Sequence, residues 1–258
     1  MTQVDELLDE AEGRAMTGWD FGWIDGRMTS SGVSWDYVAI SNDWASRATR
    51  VLDMGTGGGE FLSGLSCLPR CTVATEGWAP NVLVAARRLA SAGIPVVHDE
   101  GAVDNLDQRD RHARGRLAFR DASFDLVLSR HEAYVPAEVR RVLQPSGHFL
   151  TQQAGSGGSD AGRLLGRPAP IESFDRDFAV AQLEHEGFEV LDGTSEVETM
   201  TFADVGAFAW YLSVIPWMVP GFTIAAHRDE LRTLDAQRTP LVIHATRFWL
   251  VARRDRRK

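Results

Sequence analysis

A short glycine-rich segment constrains the fold of this chain more than any other feature. Residues 51–59 read Val-Leu-Asp-Met-Gly-Thr-Gly-Gly-Gly, an apolar stretch that reaches an acidic residue and then a run of glycines. Such a pattern is typical of a buried strand that turns sharply into a helix while a ligand lies against the backbone. Glycine suits that turn because it adopts positive φ and has no Cβ. The segment therefore predicts a cofactor loop in an α/β fold.

The charge beside this loop separates the two ligand classes that use such a turn. A dinucleotide loop follows the pattern G-x-G-x-x-G, and counted from Gly55 its third glycine position is occupied by Glu60. Asp53 adds a second carboxylate, which is unfavourable next to a pyrophosphate. S-adenosylmethionine has no phosphate and carries an ammonium and a sulfonium. The local charge therefore favours S-adenosylmethionine over a dinucleotide.

The segment 50–153 alternates between strand and helix patterns. Short apolar strands are predicted at 50–54, 71–75, 94–98, 124–128 and 148–153, with helices at 60–68, 80–92 and 136–143 and a turn at 144–147. This rhythm predicts a parallel sheet covered by helices on both faces. A Gly-Ser-rich link at 155–159 leads to a helix at 176–186, a strand from 188, an aromatic segment at 202–218 and a strand at 241–251. The chain's last strand has no helix after it, which predicts an antiparallel strand.

Composition limits the partners. The chain has 258 residues, 44% hydrophobic residues and a formal net charge of -9. Proteins that bind a nucleic-acid backbone usually need a basic surface, whereas the basic clusters here, at 109–116 and 253–258, are interpreted as a solvated loop and a chain end. Cys67 and Cys71 are too few to bind a structural zinc, and no signal peptide or membrane span is apparent. We expect a cytoplasmic monomer or homodimer that binds no metal, nucleic acid or membrane and acts on a small molecule.

Four ordered motifs carry a resemblance to a known family. They are Asp53-x-Gly55-x-Gly57-x-Gly59, Glu76, the segment Ser123–Ser129 and the segment Arg141–Gly147. Together they resemble class I, Rossmann-like S-adenosylmethionine-dependent methyltransferases, and in particular the small-molecule branch named methyltransferase type 11. The resemblance covers residues 48–155.

That resemblance implies a three-layer αβα sandwich. Its sheet would have seven mostly parallel strands in the order 3-2-1-4-5-7-6, with the last strand antiparallel. Residues 1–47 would form a helical extension or lid, and residues 48–258 the methyltransferase domain with an aromatic lid inserted at about 202–235.

The resemblance also implies roles for residues around the glycine loop. Gly55 and Gly57 would expose backbone to the methionyl part of the cofactor, and Asp53 would hold its amino end. Glu76 would bind the ribose hydroxyls. The expected cofactor-binding set is Asp53, Gly55, Thr56, Gly57, Gly59, Glu76, Gly77, Trp78, Gly101, Ala102, Ser129 and Arg130. The family often has an acid where this chain has Gly101, so an adenine contact there would come from backbone or from Asn105. S-adenosylhomocysteine would be the product.

Candidate catalytic residues follow the fourth strand of the predicted sheet directly. His131 has the ordinary pKa of a general base near neutral pH, and Arg130 and Glu132 are placed to orient it or to contact substrate. The alternative is that His131 only anchors the following loop. Methyl transfer also proceeds by positioning alone, because the cofactor supplies an activated methyl group.

Aromatic residues outside the common core predict an acceptor pocket. The two segments that flank the core are rich in tryptophan, and the expected substrate-binding residues are Trp19, Trp23, Gln152, Trp210 and Tyr211. An apolar wall of this kind suits a small organic acceptor, and the family suggests specialised metabolism. Two alternatives stay open, namely an RNA or protein methyltransferase and a noncatalytic domain that only binds the cofactor.

Overall fold

The computed structural model describes residues 2–106, 116–155, 160–168, 174–237 and 240–255. Its strands are β1 (Met28–Ser30), β2 (Arg50–Met54), β3 (Cys71–Glu76), β4 (Val96–His98), β5 (Phe124–Arg130), β6 (Leu143–Ala154), β7 (Phe188–Phe202) and β8 (Leu241–Arg254). Its α-helices are α1 (Gln3–Glu12), α2 (Tyr37–Ala45), α3 (Glu60–Ser63), α4 (Ala79–Leu89), α5 (Pro136–Val142), α6 (Ala161–Leu164), α7 (Arg176–His185), α8 (Val205–Val214) and α9 (Arg228–Ala236). None of the helices in these ranges is both long and apolar enough to cross a membrane.

All eight of these strands form one mixed sheet in the order β1-β7-β8-β6-β5-β2-β3-β4. Strands β2 to β6 pair in parallel, and β8 is antiparallel to both β6 and β7. The predicted Rossmann-like order and the antiparallel last strand are therefore confirmed. The predicted count of seven strands is one short, because β1 adds an eighth strand antiparallel to β7. This edge strand has three residues, too few for a readable alternation pattern.

Side chains on the parallel strands alternate between two cores, which creates the predicted three layers. Val51 and Leu126 pack on the face covered by α2 and α4. Their neighbours Leu52 and Val127 pack on the opposite face, which α5 and α7 cover. Successive residues of a strand point to opposite faces, so strands apolar at every position must be covered on both.

A third core forms where the sheet is antiparallel. Helices α1, α8 and α9 pack on the paired ends of β7 and β8. Helix α8 is buried over its first eight residues, 205–212, as expected for a helix that is apolar on all sides. Asp204 caps it by accepting a hydrogen bond from the Ala207 N–H at 2.9 Å. The aromatic segment predicted at about 202–235 thus packs in a hydrophobic core that it shares with α1 and with the ends of β7 and β8.

The largest differences between predicted and observed boundaries occur in two places. The turn predicted at 144–147 lies inside β6, where the register with β5 shifts between Phe124 and Leu126. Ser146 has φ of +65° there, so the turn residues form a bulge that leaves the strand continuous. The helix predicted at 60–68 ends at Ser63, and Gly64 follows as its C-cap.

Candidate active site

The glycine loop after β2 depends on backbone conformations that glycine adopts without strain. Gly55, Gly57 and Gly59 have φ of +64°, +62° and +84°, a region unfavourable for side chains with a Cβ. The Thr56 N–H donates to the Thr75 carbonyl at 2.8 Å, and the Gly57 N–H donates to the Glu76 carboxylate at 2.7 Å. These bonds tie the loop to the end of β3 and fix its shape before any ligand arrives.

Glu76 links the glycine loop to the start of α4. One of its carboxylate oxygens accepts from the Gly57 N–H, and the other accepts from the Trp78 N–H at 2.8 Å. Burial raises the pKa of Glu76. Each carboxylate oxygen has a second lone pair, so both remain capable of accepting from ribose hydroxyls. The Trp78 ring beside them is 51% exposed.

Asp53 is the buried acid at the end of β2. Burial raises its pKa to about 7, while the charge of Arg130 acts in the opposite direction. Within the described part of the chain, Asp53 Oδ2 and Thr56 Oγ1 are buried and lack hydrogen-bond geometry to any partner. Buried polar atoms normally have partners. A ligand with N–H donors and positive charge would satisfy them, so this pair fits the methionyl end of S-adenosylmethionine.

Glu132 lies across the cleft between the glycine loop and the loop after β4. A Cβ built on Gly55 would be 2.6 Å from the Glu132 Cβ, and one on Gly101 would be 2.6 Å from its Oε1. Burial raises the pKa of Glu132 to about 8, with further contributions from Glu76, Asp99 and Asp53. Glycine is therefore needed at both positions to accommodate this carboxyl group.

Trp19 covers the glycine loop from the N-terminal extension. A Cβ on Gly57 would overlap the Trp19 ring. The preceding residue anchors the segment, because the Gly18 N–H donates to Asn81 Oδ1 at 3.1 Å. The extension thus contacts the loop directly.

His131 is held by a hydrogen-bond chain that fixes its tautomer. The Trp35 Nε1–H donates to Gln152 Oε1 at 2.8 Å, which leaves the Gln152 amide NH2 facing His131 Nε2 at 3.2 Å. His131 Nε2 must then accept, and the proton lies on Nδ1. Among described residues Nδ1 is buried without a partner. His131 also has φ of +63°, uncommon for a residue other than glycine.

The charge state of His131 follows from its surroundings. Burial, together with Arg247 and Arg130, holds its pKa well below 6.5. The imidazole is therefore neutral near pH 7 and presents an N–H donor. These hydrogen bonds favour a donor role over the general-base role expected from the sequence.

These elements enclose a cavity of about 370 Å³, within the usual range for small-ligand sites. Its lining combines the glycine loop, the end of β5 and the aromatic region, and comprises Trp19, Phe21, Met28, Asp53, Gly55, Thr56, Glu60, Phe61, Arg130, His131, Ala154, Glu198, Met200, Tyr211, Ile215, Trp217 and Arg247. The cavity therefore joins the methionyl side of the expected cofactor site to the aromatic residues.

The five residues predicted to bind substrate have three different positions in the structure. Trp19 and Tyr211 line the cavity, and Gln152 holds His131. Trp23 and Trp210 pack on each other, with ring centroids 5.3 Å apart, in the third core. The Trp210 Nε1–H donates to the Arg14 carbonyl at 2.9 Å. These two tryptophans support the cavity wall from behind.

Other predicted residues lie beside the cavity. Five of them do not line the cavity and lie on the side where the adenosine part of the cofactor is expected, namely Glu76, Gly77, Trp78, Gly101 and Ala102. Ser129 is buried below it, and its Oγ–H donates to the Glu132 carbonyl at 3.2 Å.

Asn105 has a structural contact instead of the adenine contact considered from the sequence. Its Oδ1 accepts from the Tyr134 N–H at 3.0 Å. Of the basic cluster at 109–116, residues 109–115 lie outside the described residues.

Two charged lining residues were missed by sequence reasoning. Arg247 on β8 pairs with Glu198 on β7, with Nε 2.7 Å from Oε2. The register of these antiparallel strands brings the two residues together, and no local sequence motif predicts this contact.

Comparison with known proteins agrees with this geometry. Residues 52–151 match the family described as Methyltransferase domain. Among curated protein sequences, none matches the chain. Residues 52–151 thus match a methyltransferase domain, which agrees with the class I family that the sequence motifs resemble.

Solved structures support the fold. The chain is similar to the BH2331 protein of Bacillus halodurans, with 15% identity and a TM-score of 0.56 over 84% of this chain and 97% of that one. It is also similar to the YcgJ protein of Bacillus subtilis, with 17% identity and a TM-score of 0.55 over 84% and 97%. A protein of unknown function from Deinococcus radiodurans gives 16% identity and a TM-score of 0.55 over 88% and 90%.

Proposed function

We propose that this chain transfers a methyl group from S-adenosylmethionine to a small organic acceptor held in the cavity. The observation that supports the proposal best is the shape of that cavity, with the glycine loop on one side and aromatic side chains on the other. A volume of about 370 Å³ suits a small molecule better than a polymer.

The residues on the parallel strands would hold the cofactor. Asp53, Thr56 and the backbone of the glycine loop would bind its methionyl part. The adenosine part would lie along Glu76, Gly77, Trp78, Gly101 and Ala102. When bound, the cofactor supplies a methyl group activated by a positively charged sulfur. Burial raises the pKa of Asp53 to about 7 and that of Glu132 to about 8. A bound cation would favour the ionised form of both groups, and each would then stabilise the positive charge.

The remaining cavity residues would position the acceptor. Trp19, Phe21 and Trp217 exclude water, which strengthens electrostatic interactions in the site. The His131 Nδ1–H offers one directed hydrogen bond to an acceptor atom, and Gln152 keeps the imidazole in the orientation that presents it. Positioning of this kind accounts for a large share of the rate of a bimolecular transfer.

Isothermal titration with S-adenosylmethionine and S-adenosylhomocysteine tests the cofactor site. We expect dissociation constants in roughly the micromolar range, and absence of binding at millimolar ligand would refute the proposal.

A screen with radiolabelled cofactor then tests the acceptor class. Label that enters small organic molecules supports the proposal. Transfer only to RNA or protein would favour the alternative acceptors, and cofactor binding with no transfer in any fraction would favour a noncatalytic domain. Fractionation of the source cells tests the expected cytoplasmic location.

A further inference from the structure

We propose that the acceptor is a small, flat organic acid whose carboxylate pairs with Arg130. The inference rests on the proposed function and names the substrate class of the same cavity. It depends on the charge of one arginine and on the rings around it.

Arg130 is a cation that has no counter-ion in contact among the described residues. It lines the cavity and is exposed there. Its guanidinium lies over the Phe61 ring, 5.3 Å from the centroid, and makes no hydrogen bond or ion pair with any residue that the structure describes. An arginine in a cavity normally has a carboxylate or phosphate partner. The position is therefore built to receive an anion.

The neighbouring charged residues do not supply an anionic partner for Arg130. Arg247 lines the same cavity but has Glu198 as its partner at 2.7 Å, so its charge is already balanced. Asp53 attracts Arg130 without reaching ion-pair distance, and it fits the cationic end of the cofactor. His131 is neutral, because burial and the charges of both arginines lower its pKa. Glu60, the other carboxylate of the lining, pairs with Arg88. A ligand carboxylate would give Arg130 the partner that these residues do not supply.

Aromatic rings define the shape of the acceptor. Trp19 and Phe21 are stacked, with centroids 6.0 Å apart and planes 19° apart, and Trp217 meets Trp19 at 5.9 Å and 61°. Rings in these arrangements bind a further flat ring well. Arg130 and Phe61 lie in the same lining, so an aromatic acid would bring both its ring and its charge to matching surfaces.

The cofactor also has a carboxylate, and the test must separate the two sources. We would first compare S-adenosylhomocysteine with methylthioadenosine, which lacks the amino-acid part, on wild-type protein and Arg130→Met. Equal cofactor affinities in both proteins are expected. If Arg130→Met weakened S-adenosylhomocysteine by about tenfold or more and spared methylthioadenosine, Arg130 would bind the cofactor's carboxylate and the proposal would be overturned.

Two pairs of probes then measure the preference for an acid. Protein loaded with S-adenosylhomocysteine is titrated with salicylate and salicylamide, and with cinnamate and cinnamamide. We expect at least one acid to bind roughly tenfold or more tightly than its neutral amide, because hydrogen bonds to charged groups are the stronger ones. Arg130→Met should abolish this preference and Arg130→Lys should retain part of it.

Arg253→Met is the matched control, since Arg253 pairs with Glu189 on the surface and its loss changes the net charge equally. This variant should keep the full preference. Equal binding of acid and amide in both pairs, no binding of any probe at millimolar concentration, or a preference that survives Arg130→Met would each overturn the inference. Failure of S-adenosylhomocysteine to bind the wild type would instead refute the proposed function.

Discussion

The cavity has two walls built on different principles. The wall from the parallel strands is a glycine loop surrounded by buried acids, and the loop is held by bonds between neighbouring strand ends. The wall from the antiparallel strands and the N-terminal extension is aromatic, and it contains the ion pair between Arg247 and Glu198. The first wall suits a cationic ligand, and the second suits a flat apolar one.

This difference shows where each specificity is encoded. Cofactor chemistry depends on a few residues close in sequence, such as Asp53 and Gly57. The acceptor wall depends on long-range contacts, such as the edge-to-face contact between Trp19 and Trp217. The two walls should therefore respond separately to mutation.

Substitution of Gly57 should give the largest effect on the cofactor wall. Gly57→Val adds a side chain at φ +62° where the Trp19 ring already lies. We expect affinity for S-adenosylhomocysteine to fall by more than about a hundredfold, measured by titration calorimetry.

Two controls separate strain from lost ligand space. Gly93→Val has a similar positive φ, +67°, but open space around its Cβ, so it should lower stability and spare the affinity. Adding Trp19→Ala to Gly57→Val should relieve the clash with the ring without restoring binding. Recovery of binding in that double variant would show that Trp19, not the cofactor, requires a glycine.

The second effect concerns His131, which lies where the walls meet. If its Nδ1–H donates to the acceptor, His131→Ala should lower kcat by about tenfold to a hundredfold and leave cofactor affinity unchanged. Because its pKa is held well below 6.5, the kcat profile should show no titration of this residue between about pH 6 and pH 8.

Gln152→Glu reverses the hydrogen-bond chain and so distinguishes a donor from a base. A carboxylate at this position would accept from both Trp35 and His131, which moves the imidazole proton to Nε2. The donor role predicts slower turnover in this variant. Faster turnover would mean that an unprotonated Nδ1 is required, and His131 would then be a general base.

The sequence predicts the two walls unequally for a physical reason. Loop residues such as Gly55 and strand-end acids such as Glu76 are positioned by local turns and neighbouring parallel strands, which leave readable spacings. The Trp210 contact with Arg14 joins residues 196 positions apart, and no spacing encodes it. Aromatic richness in the two flanking segments indicated a pocket, but it could not tell Tyr211, which lines the cavity, from Trp210, which is 1% exposed.

Glu132 should give a smaller effect whose sign depends on pH. Its folded pKa, about 8, lies above its unfolded value, so the ligand-free protein loses stability as pH rises from the unfolded pKa through the folded one. Glu132→Gln cannot ionise, so the variant should not lose stability in this way as pH rises. We expect its Tm to exceed that of the wild type by a few degrees near about pH 9, and by less near about pH 5.

The same variant tests whether Glu132 stabilises a cationic cofactor. Above about pH 8, where Glu132 is ionised, affinity for S-adenosylmethionine should fall by roughly threefold to tenfold, and affinity for S-adenosylhomocysteine should fall less, because the latter lacks the sulfonium charge. Tighter binding of both ligands would show instead that Glu132 obstructs the cleft between Gly55 and Gly101.

The smallest effect should come from the ion pair between Arg27 and Asp204, which supports the aromatic wall without lining the cavity. Arg27 makes two hydrogen bonds with Asp204, at 2.8 Å and 2.6 Å, and so joins the N-terminal extension to the cap of α8. Because both side chains are partly buried, Arg27→Met should cost about 1–2 kcal/mol and lower Tm by a few degrees, while Arg253→Met should cost less. Probe binding should weaken a few-fold and S-adenosylhomocysteine affinity should stay unchanged. An equal loss of both affinities would mean that the two walls form one cooperative unit, since Trp19 touches the glycine loop from the same extension that Arg27 anchors.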